Sequence, residues 1–101
     1  MALMATEVDP DGVMPRGILN AADFRGARVL EVGAGDGRLT FQYAAEPRSV
    51  VGIDTKEPDI RTASQCQGVE LRGDVQFMCA SATALPFSVE RFSIVLLASS
   101  L

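Results

Sequence analysis

Histidine is absent from this chain of 101 residues, and only two cysteines, Cys66 and Cys79, are present. Without histidine, the chain alone supports neither Ser-His-Asp nor Cys-His catalysis, and it has no histidine to act as a general base or to bind a metal. Two cysteines are too few for a zinc cage, and they resemble no disulfide framework of a secreted domain. The composition therefore favours a reducing cytoplasmic location and a function without a bound metal.

Basic residues are also few, since 9 Lys and Arg stand against 13 Asp and Glu, for a formal net charge of −4. Such a surface argues against binding along the phosphates of a nucleic acid. The longest apolar run, residues 94–98, is far shorter than the roughly 20 residues that cross a bilayer. The first residues carry Glu7 and Asp9 rather than the basic start of a signal peptide. We therefore expect neither a nucleic-acid nor a membrane partner.

From residue 28 onward, strand-like and helix-like segments alternate. The predicted strands cover residues 28–32, 49–53, 75–79 and 92–98, and the predicted helices cover 36–46 and 57–67, with a shorter one considered at 81–84. This alternation predicts parallel βαβ units, and hence a Rossmann-like, doubly wound α/β sheet. Before it, Pro10, Gly12 and Pro15 interrupt the chain. We expect residues 1–25 to form an N-terminal tail followed by a short helix over residues 16–24.

A glycine-rich stretch, Gly33-Ala34-Gly35-Asp36-Gly37, follows the first predicted strand and opens the first predicted helix. Glycine lets the backbone turn sharply and lets a ligand approach it closely. Asp54 ends the second strand, 21 positions after Gly33, where a carboxylate can accept hydrogen bonds from both hydroxyls of a ribose. These features predict a nucleoside-binding site. The plainer alternatives are a turn that needs glycine for its geometry alone and a solvated aspartate.

Charge around the loop distinguishes between nucleoside cofactors. Arg38 stands where the dinucleotide fingerprint has its third glycine, Asp36 occupies the predicted start of the helix, and Glu31 is close in sequence. Two like charges about 4 Å apart repel by about 4 kcal/mol at an effective dielectric constant of 20, which disfavours a pyrophosphate. S-adenosylmethionine has no phosphate and carries a sulfonium and an ammonium group. Electrostatics therefore favours this cofactor over NAD.

The stretch from Val29 to Leu39, VLEVGAGDGRL, resembles the first motif of the class I S-adenosylmethionine-dependent methyltransferases. Within them it is most similar to the small-molecule branch called methyltransferase type 11, or ubiquinone/menaquinone methyltransferase-like. Asp54 matches the acidic residue that ends the second strand, and residues 81–87 and 92–97 match the segment after the third strand and the fourth strand. The resemblance covers residues 26–101.

The resemblance implies a cofactor site made of Glu31, Gly33, Ala34, Gly35, Asp36, Gly37, Asp54, Thr55, Ser81 and Ala82. The glycine loop would line the methionine and ribose portions, Glu31 would lie near the methionine ammonium, and Asp54 would hold the ribose. Thr55 would lie beside the adenine, whose edge Ser81 and Ala82 would face. The family commonly has aspartate in place of Ser81, so adenine would be bound here by a neutral acceptor.

The resemblance also implies that the domain is incomplete, because family members continue past the fourth strand with three more strands. Numbered from the strand at 28–32, the remaining strands are expected in the order 3-2-1-4, with the apolar fourth strand at an edge. Exposed apolar edges invite pairing, so a homodimer or a partner chain joined through that strand is expected.

The function implied is methyl transfer to a small-molecule acceptor, with this chain supplying the cofactor-binding half. No general base can be assigned, and none of the residues is identified as catalytic. The alternatives are a noncatalytic cofactor-binding or partner module and, less favoured, a dinucleotide-binding oxidoreductase domain.

Overall fold

The computed structural model describes residues 2–8, 23–65 and 74–100. Five strands lie in these ranges, and they are β1 (Ala2–Val8), β2 (Arg28–Val32), β3 (Ser49–Asp54), β4 (Asp74–Cys79) and β5 (Ile94–Ser100). The described helices are α1 (Thr40–Tyr43), α2 (Glu57–Gln65) and a 3-10 turn over Val89–Arg91. The strands form one sheet in the order β1-β5-β2-β3-β4, and every pairing is parallel.

The order in which the chain adds strands to the sheet reverses at β2. The chain runs from β2 outward to β3 and β4, and then returns to place β5 on the other side of β2. Glu31 consequently has Gly52 of β3 on one side and Leu96 of β5 on the other. The predicted order of the four sequence-derived strands is confirmed. In such sheets, ligands bind at the carboxyl ends of the strands beside this reversal.

The N-terminal segment corrects the prediction of a tail over residues 1–15. Residues Ala2–Val8 form β1, which pairs with β5 from Ala2 opposite Ile94 to Val8 opposite Ser100. The fourth predicted strand is therefore not an edge, and the edge through which another chain was expected to pair is occupied. The physical reason is that an apolar strand leaves its backbone N–H and C=O groups unpaired at an edge, and this segment satisfies them. The short helix predicted over residues 16–24 falls mainly outside the described residues.

Both faces of the sheet carry apolar side chains, as expected for buried parallel strands. One face packs under α1, with a core of Phe24, Ala27, Val29, Leu39, Tyr43, Ala44, Val50, Val75, Ile94 and Leu96. The opposite face holds Leu30, Ile53, Phe92 and Val95, and the connection from β4 to β5 packs against it through Leu85 and Phe87. The alternation of Val29 and Leu30 between the two cores follows from the period of two along a strand.

The first predicted helix is shorter than expected. Only Thr40–Tyr43 is α-helical, and residues 35–39 form turns and a bend before it. Gly37 has φ 90°, which is incompatible with a right-handed helix and delays its start. The segment 81–84 is likewise a turn, in which the Ala84 N–H donates to the Ser81 carbonyl at 3.0 Å.

Candidate cofactor site

The glycine loop is held against the end of β3. The backbone N–H groups of Gly33 and Ala34 both donate to the carbonyl of Ile53, at 2.9 and 3.0 Å. Gly33, Gly35 and Gly37 have φ values of 83°, 56° and 90°, a region that side chains disfavour. The loop therefore requires glycine for its backbone path, and this path keeps it at the carboxyl ends of β2 and β3.

Two of these glycines have different surroundings. A Cβ placed on Gly33 would overlap the carbonyl oxygen of Ala98 in β5, whereas a Cβ on Gly35 would have nothing within 4 Å. Gly33 thus lets two backbones approach each other. Gly35 leaves open space above the loop, from which the backbone can be approached.

Asp54 connects the loop to the segment after β3. Its Oδ2 accepts the N–H of Gly35 at 3.0 Å and its Oδ1 accepts the N–H of Lys56 at 3.0 Å. A carboxylate offers about four acceptor positions, so these two bonds leave capacity for the hydroxyls of a ribose. The predicted proximity of Asp54 and the glycine loop is therefore present, and the half-buried carboxylate lies beside the open space at Gly35.

Glu31 lies under the loop between β2 and α1 and is completely buried. Its Oε1 accepts the hydroxyl of Tyr43 at 2.5 Å and that of Thr40 at 3.0 Å. Its Oε2 has no hydrogen-bond partner among the described residues. Burial raises the pKa of Glu31 to about 7, although the bonds from Tyr43 and Thr40 act in the opposite direction. Burial and the neighbouring Glu31 in turn raise the pKa of Tyr43 well above its usual range.

Asp36 is part of the loop but does not contribute an isolated negative charge. Its Oδ2 accepts the Arg38 Nε–H at 3.0 Å, and both side chains are partly or largely exposed. The pair offsets the repulsion that the sequence predicted for Asp36. The acidic character of the site consequently rests on Asp54 and, when ionised, on Glu31.

The remaining predicted residues lie at the neighbouring strand ends. Thr55 follows β3, and the Ala80 N–H after β4 donates to the Asp54 carbonyl at 3.1 Å, which holds the next residues, Ser81 and Ala82, beside that end. The Ser81 hydroxyl is 2.8 Å from the Thr83 hydroxyl and also accepts the Thr83 N–H at 3.2 Å. Its hydroxyl is thus used within its own turn, and Ala82 is exposed.

Sequence reasoning missed Thr40 and Tyr43, the two partners of Glu31. They lie nine and twelve residues after it, on the helix that follows the loop. An acidic residue within a predicted buried strand is a signal that polar partners must come from the covering helix. A separate cavity of about 500 Å³ is lined by residues of β2, β3 and β4 and of the connection to β5, among them Arg28, Met78 and Phe92. None of the predicted site residues lines it.

Known proteins resemble this chain in sequence and in fold. Residues 29–101 match the family model described as a methyltransferase domain. A SAM-dependent methyltransferase from Methanosarcina mazei superposes with a TM-score of 0.67 at 25% identity, over 81% of this chain and 41% of that one. The fold is thus that of the class I, Rossmann-like methyltransferases. The chain belongs to the methyltransferase domain family.

Two curated relatives extend the comparison. An uncharacterised protein of Mycobacterium tuberculosis is 33% identical over 98 residues, which is 94% of this chain and 34% of the relative. Phosphoethanolamine N-methyltransferase 1 of Triticum aestivum is 32% identical over 71 residues, which is 70% of this chain and 14% of the relative. The chain spans about a third or less of the length of these relatives.

Among the helices that the structure describes, none combines the length and apolar content that a membrane span requires.

Proposed function

We propose that this chain binds S-adenosylmethionine at the carboxyl ends of β2, β3 and β4, and that it supplies the cofactor-binding half of methyl transfer to a small-molecule acceptor. The observation that carries the proposal is the Asp54 carboxylate, bonded to the Gly35 N–H at 3.0 Å beside open space above the loop. We assign the cofactor-binding part of the domain, whose sheet also includes β1, to residues 26–101. We assign the branch of the family to the type 11 methyltransferases.

Each part of the site suits one part of this cofactor. Asp54 has acceptor positions left for the ribose hydroxyls, and the loop from Gly33 to Gly37 offers backbone to the ribose and the methionine portion. Glu31 provides an unpartnered buried oxygen for the ammonium. The adenine would lie between Thr55 and the segment Ser81–Ala82, with the Ala82 N–H facing its edge, since the Ser81 hydroxyl is engaged with Thr83.

The absence of histidine is compatible with this chemistry. S-adenosylmethionine supplies a methyl group on a sulfonium, which is a good leaving group, so no protein nucleophile is needed. Alignment and the exclusion of water can provide much of the rate.

The small-molecule acceptor is supported by the wheat relative, whose name gives phosphoethanolamine as its substrate. A cytoplasmic location is supported by Cys79, which is exposed and not in a disulfide.

Calorimetry with S-adenosylhomocysteine tests the proposal, with NAD as the competing ligand. We expect S-adenosylhomocysteine to bind and NAD not to bind. Asp54→Ala is expected to weaken binding roughly tenfold or more, because a hydrogen bond to a charged group contributes about 1.5–3 kcal/mol.

Asp74→Ala is the matched control, because Asp74 is an exposed aspartate at the amino end of β4. It should leave the affinity unchanged. An Asp54→Ala variant that binds as tightly as the wild type would remove Asp54 from the site, and preferential binding of NAD would overturn the cofactor assignment.

A further inference from the structure

Only one of the two carboxyl oxygens of the buried Glu31 accepts hydrogen bonds. Oε1 accepts two hydroxyl groups from α1, whereas Oε2 has no hydrogen-bond partner among the described residues. Glu31 and Thr40 are 0% exposed and Tyr43 is 4% exposed, so bulk water does not replace the missing partner. A buried ionised carboxylate with a free oxygen is strongly disfavoured. The free oxygen must therefore hold a proton or meet a positively charged group.

No described neighbour supplies that positive charge. Glu31 is flanked in the sheet by Gly52 and Leu96, and from α1 it meets the neutral hydroxyls of Thr40 and Tyr43. Of the charged groups in the loop and after β3, Arg38 pairs with Asp36 and the Asp54 carboxylate accepts backbone N–H groups. These contacts favour the protonated form of Glu31 in the free protein, with the proton on Oε2 because Oε1 already accepts two bonds. The raised pKa of Glu31, about 7, agrees with this arrangement.

Building on the cofactor site proposed above, we propose that Tyr43 and Thr40 are positioning residues that fix Oε1 of Glu31 and leave Oε2 for the ammonium group of the cofactor, so that Glu31 releases its proton to solvent when the cofactor binds. The O–H bond of the carboxyl breaks, the proton goes to buffer, and the ammonium of the ligand keeps its own protons. Glu31 lies two residues before Gly33, at the end of β2 that carries the loop. Cofactor affinity should then rise with pH up to about the pKa of Glu31 and level off above it.

Proton release can be measured directly on the unmodified chain. Titrations with S-adenosylhomocysteine at pH 6, in buffers of different ionisation enthalpy, should show release of close to one proton per bound ligand. Adenosine, which lacks the ammonium group, should bind without releasing a proton. Equal proton release with the two ligands, or none with S-adenosylhomocysteine, would overturn the inference while leaving the cofactor site intact. Failure of S-adenosylhomocysteine to bind would instead reject the proposed function.

Conservative variants separate positioning from a merely structural role. Tyr43→Phe and Thr40→Val each remove one hydroxyl that stabilises the Glu31 carboxylate. Each should move the pH at which affinity levels off upward by roughly one unit. Thr62→Val is the matched control, since the hydroxyl of this exposed residue on α2 donates to the Pro58 carbonyl instead. A pH profile that is the same in all four proteins would contradict positioning by Tyr43 and Thr40.

Glu31→Gln should bind without proton release and with an affinity that does not change between pH 5 and pH 7, because glutamine does not titrate. If this variant does not fold, the wild-type comparison of S-adenosylhomocysteine with adenosine still decides the matter. Retention of the wild-type pH dependence in Glu31→Gln would assign the proton to another group and overturn the inference.

Discussion

The two acidic residues of the site are held in opposite ways. Glu31 and Gly33 form an inner half that is enclosed by α1 and β5, and side-chain hydroxyl groups donate to the carboxyl of Glu31. Asp54 and Gly35 form an outer half that is open on one side, and backbone N–H groups bond the carboxylate. The inner half is held by packing and by side-chain hydroxyl groups, whereas the outer half is held by backbone N–H groups and has open space at Gly35.

The largest expected effect is a difference in the free energy of unfolding between alanine variants of Gly33 and Gly35. Gly33→Ala should destabilise the protein by about 4 kcal/mol, because the new Cβ overlaps the Ala98 carbonyl and the residue has φ 83°. Gly35→Ala should destabilise the protein by only about 1 kcal/mol. The new Cβ meets open space, so the main penalty comes from holding alanine at a φ of 56°. Urea unfolding measures both changes. Equal losses in the two variants would mean that the halves do not differ in packing.

The second expected effect is a dependence of stability on pH that belongs to the inner half alone. The pKa of Glu31 is raised from 4.5 to about 7 in the folded protein. Between these values the folded state binds more protons than the unfolded state, so the free energy of unfolding falls as pH rises. The loss is on the order of 3 kcal/mol and is complete above pH 7, because each pKa unit corresponds to about 1.4 kcal/mol.

Glu31→Gln isolates this contribution, since all other titrating groups remain. Unfolding free energies measured by urea from pH 4 to pH 8 should show the wild type losing stability relative to the variant as pH rises. The variant should be the more stable protein at pH 8. A difference between the two proteins that does not vary with pH would show that the pKa of Glu31 is the same in the folded and unfolded states.

The smallest expected effect is on the outer half. Asp54→Asn keeps one oxygen acceptor but turns an amide N–H group towards one of the two backbone donors. We expect a loss of about 1–2 kcal/mol in the free energy of unfolding. Urea unfolding at a single pH measures it. A loss as large as that of Gly33→Ala would contradict the division between the two halves.

Features of the two halves that depend on residues close together in the sequence could be predicted, whereas those that depend on distant contacts could not. The bounds of β2 were predicted correctly and those of β3 to within one residue, because short β-branched runs are flanked by turn residues. The proximity of Asp54 to the glycine loop followed from the parallel arrangement of β2 and β3. In contrast, β1 was missed because its partner β5 lies about ninety residues away and Pro10, Gly12 and Pro15 suggested a tail. The bonds from Thr40 and Tyr43 to Glu31 were also missed, because they depend on how α1 packs on the sheet.

We propose that a nucleoside cofactor binds where Asp54 meets the loop. The most direct measurement is an NMR titration of the ¹⁵N-labelled chain with S-adenosylhomocysteine, which follows the N–H signals of Gly35 and Lys56, the two donors to Asp54. Gly26, another glycine with positive φ but located before β2, serves as the reference. We expect saturable shifts at Gly35 and Lys56 with little change at Gly26. Binding of the ligand with Gly35 and Lys56 unmoved would contradict it.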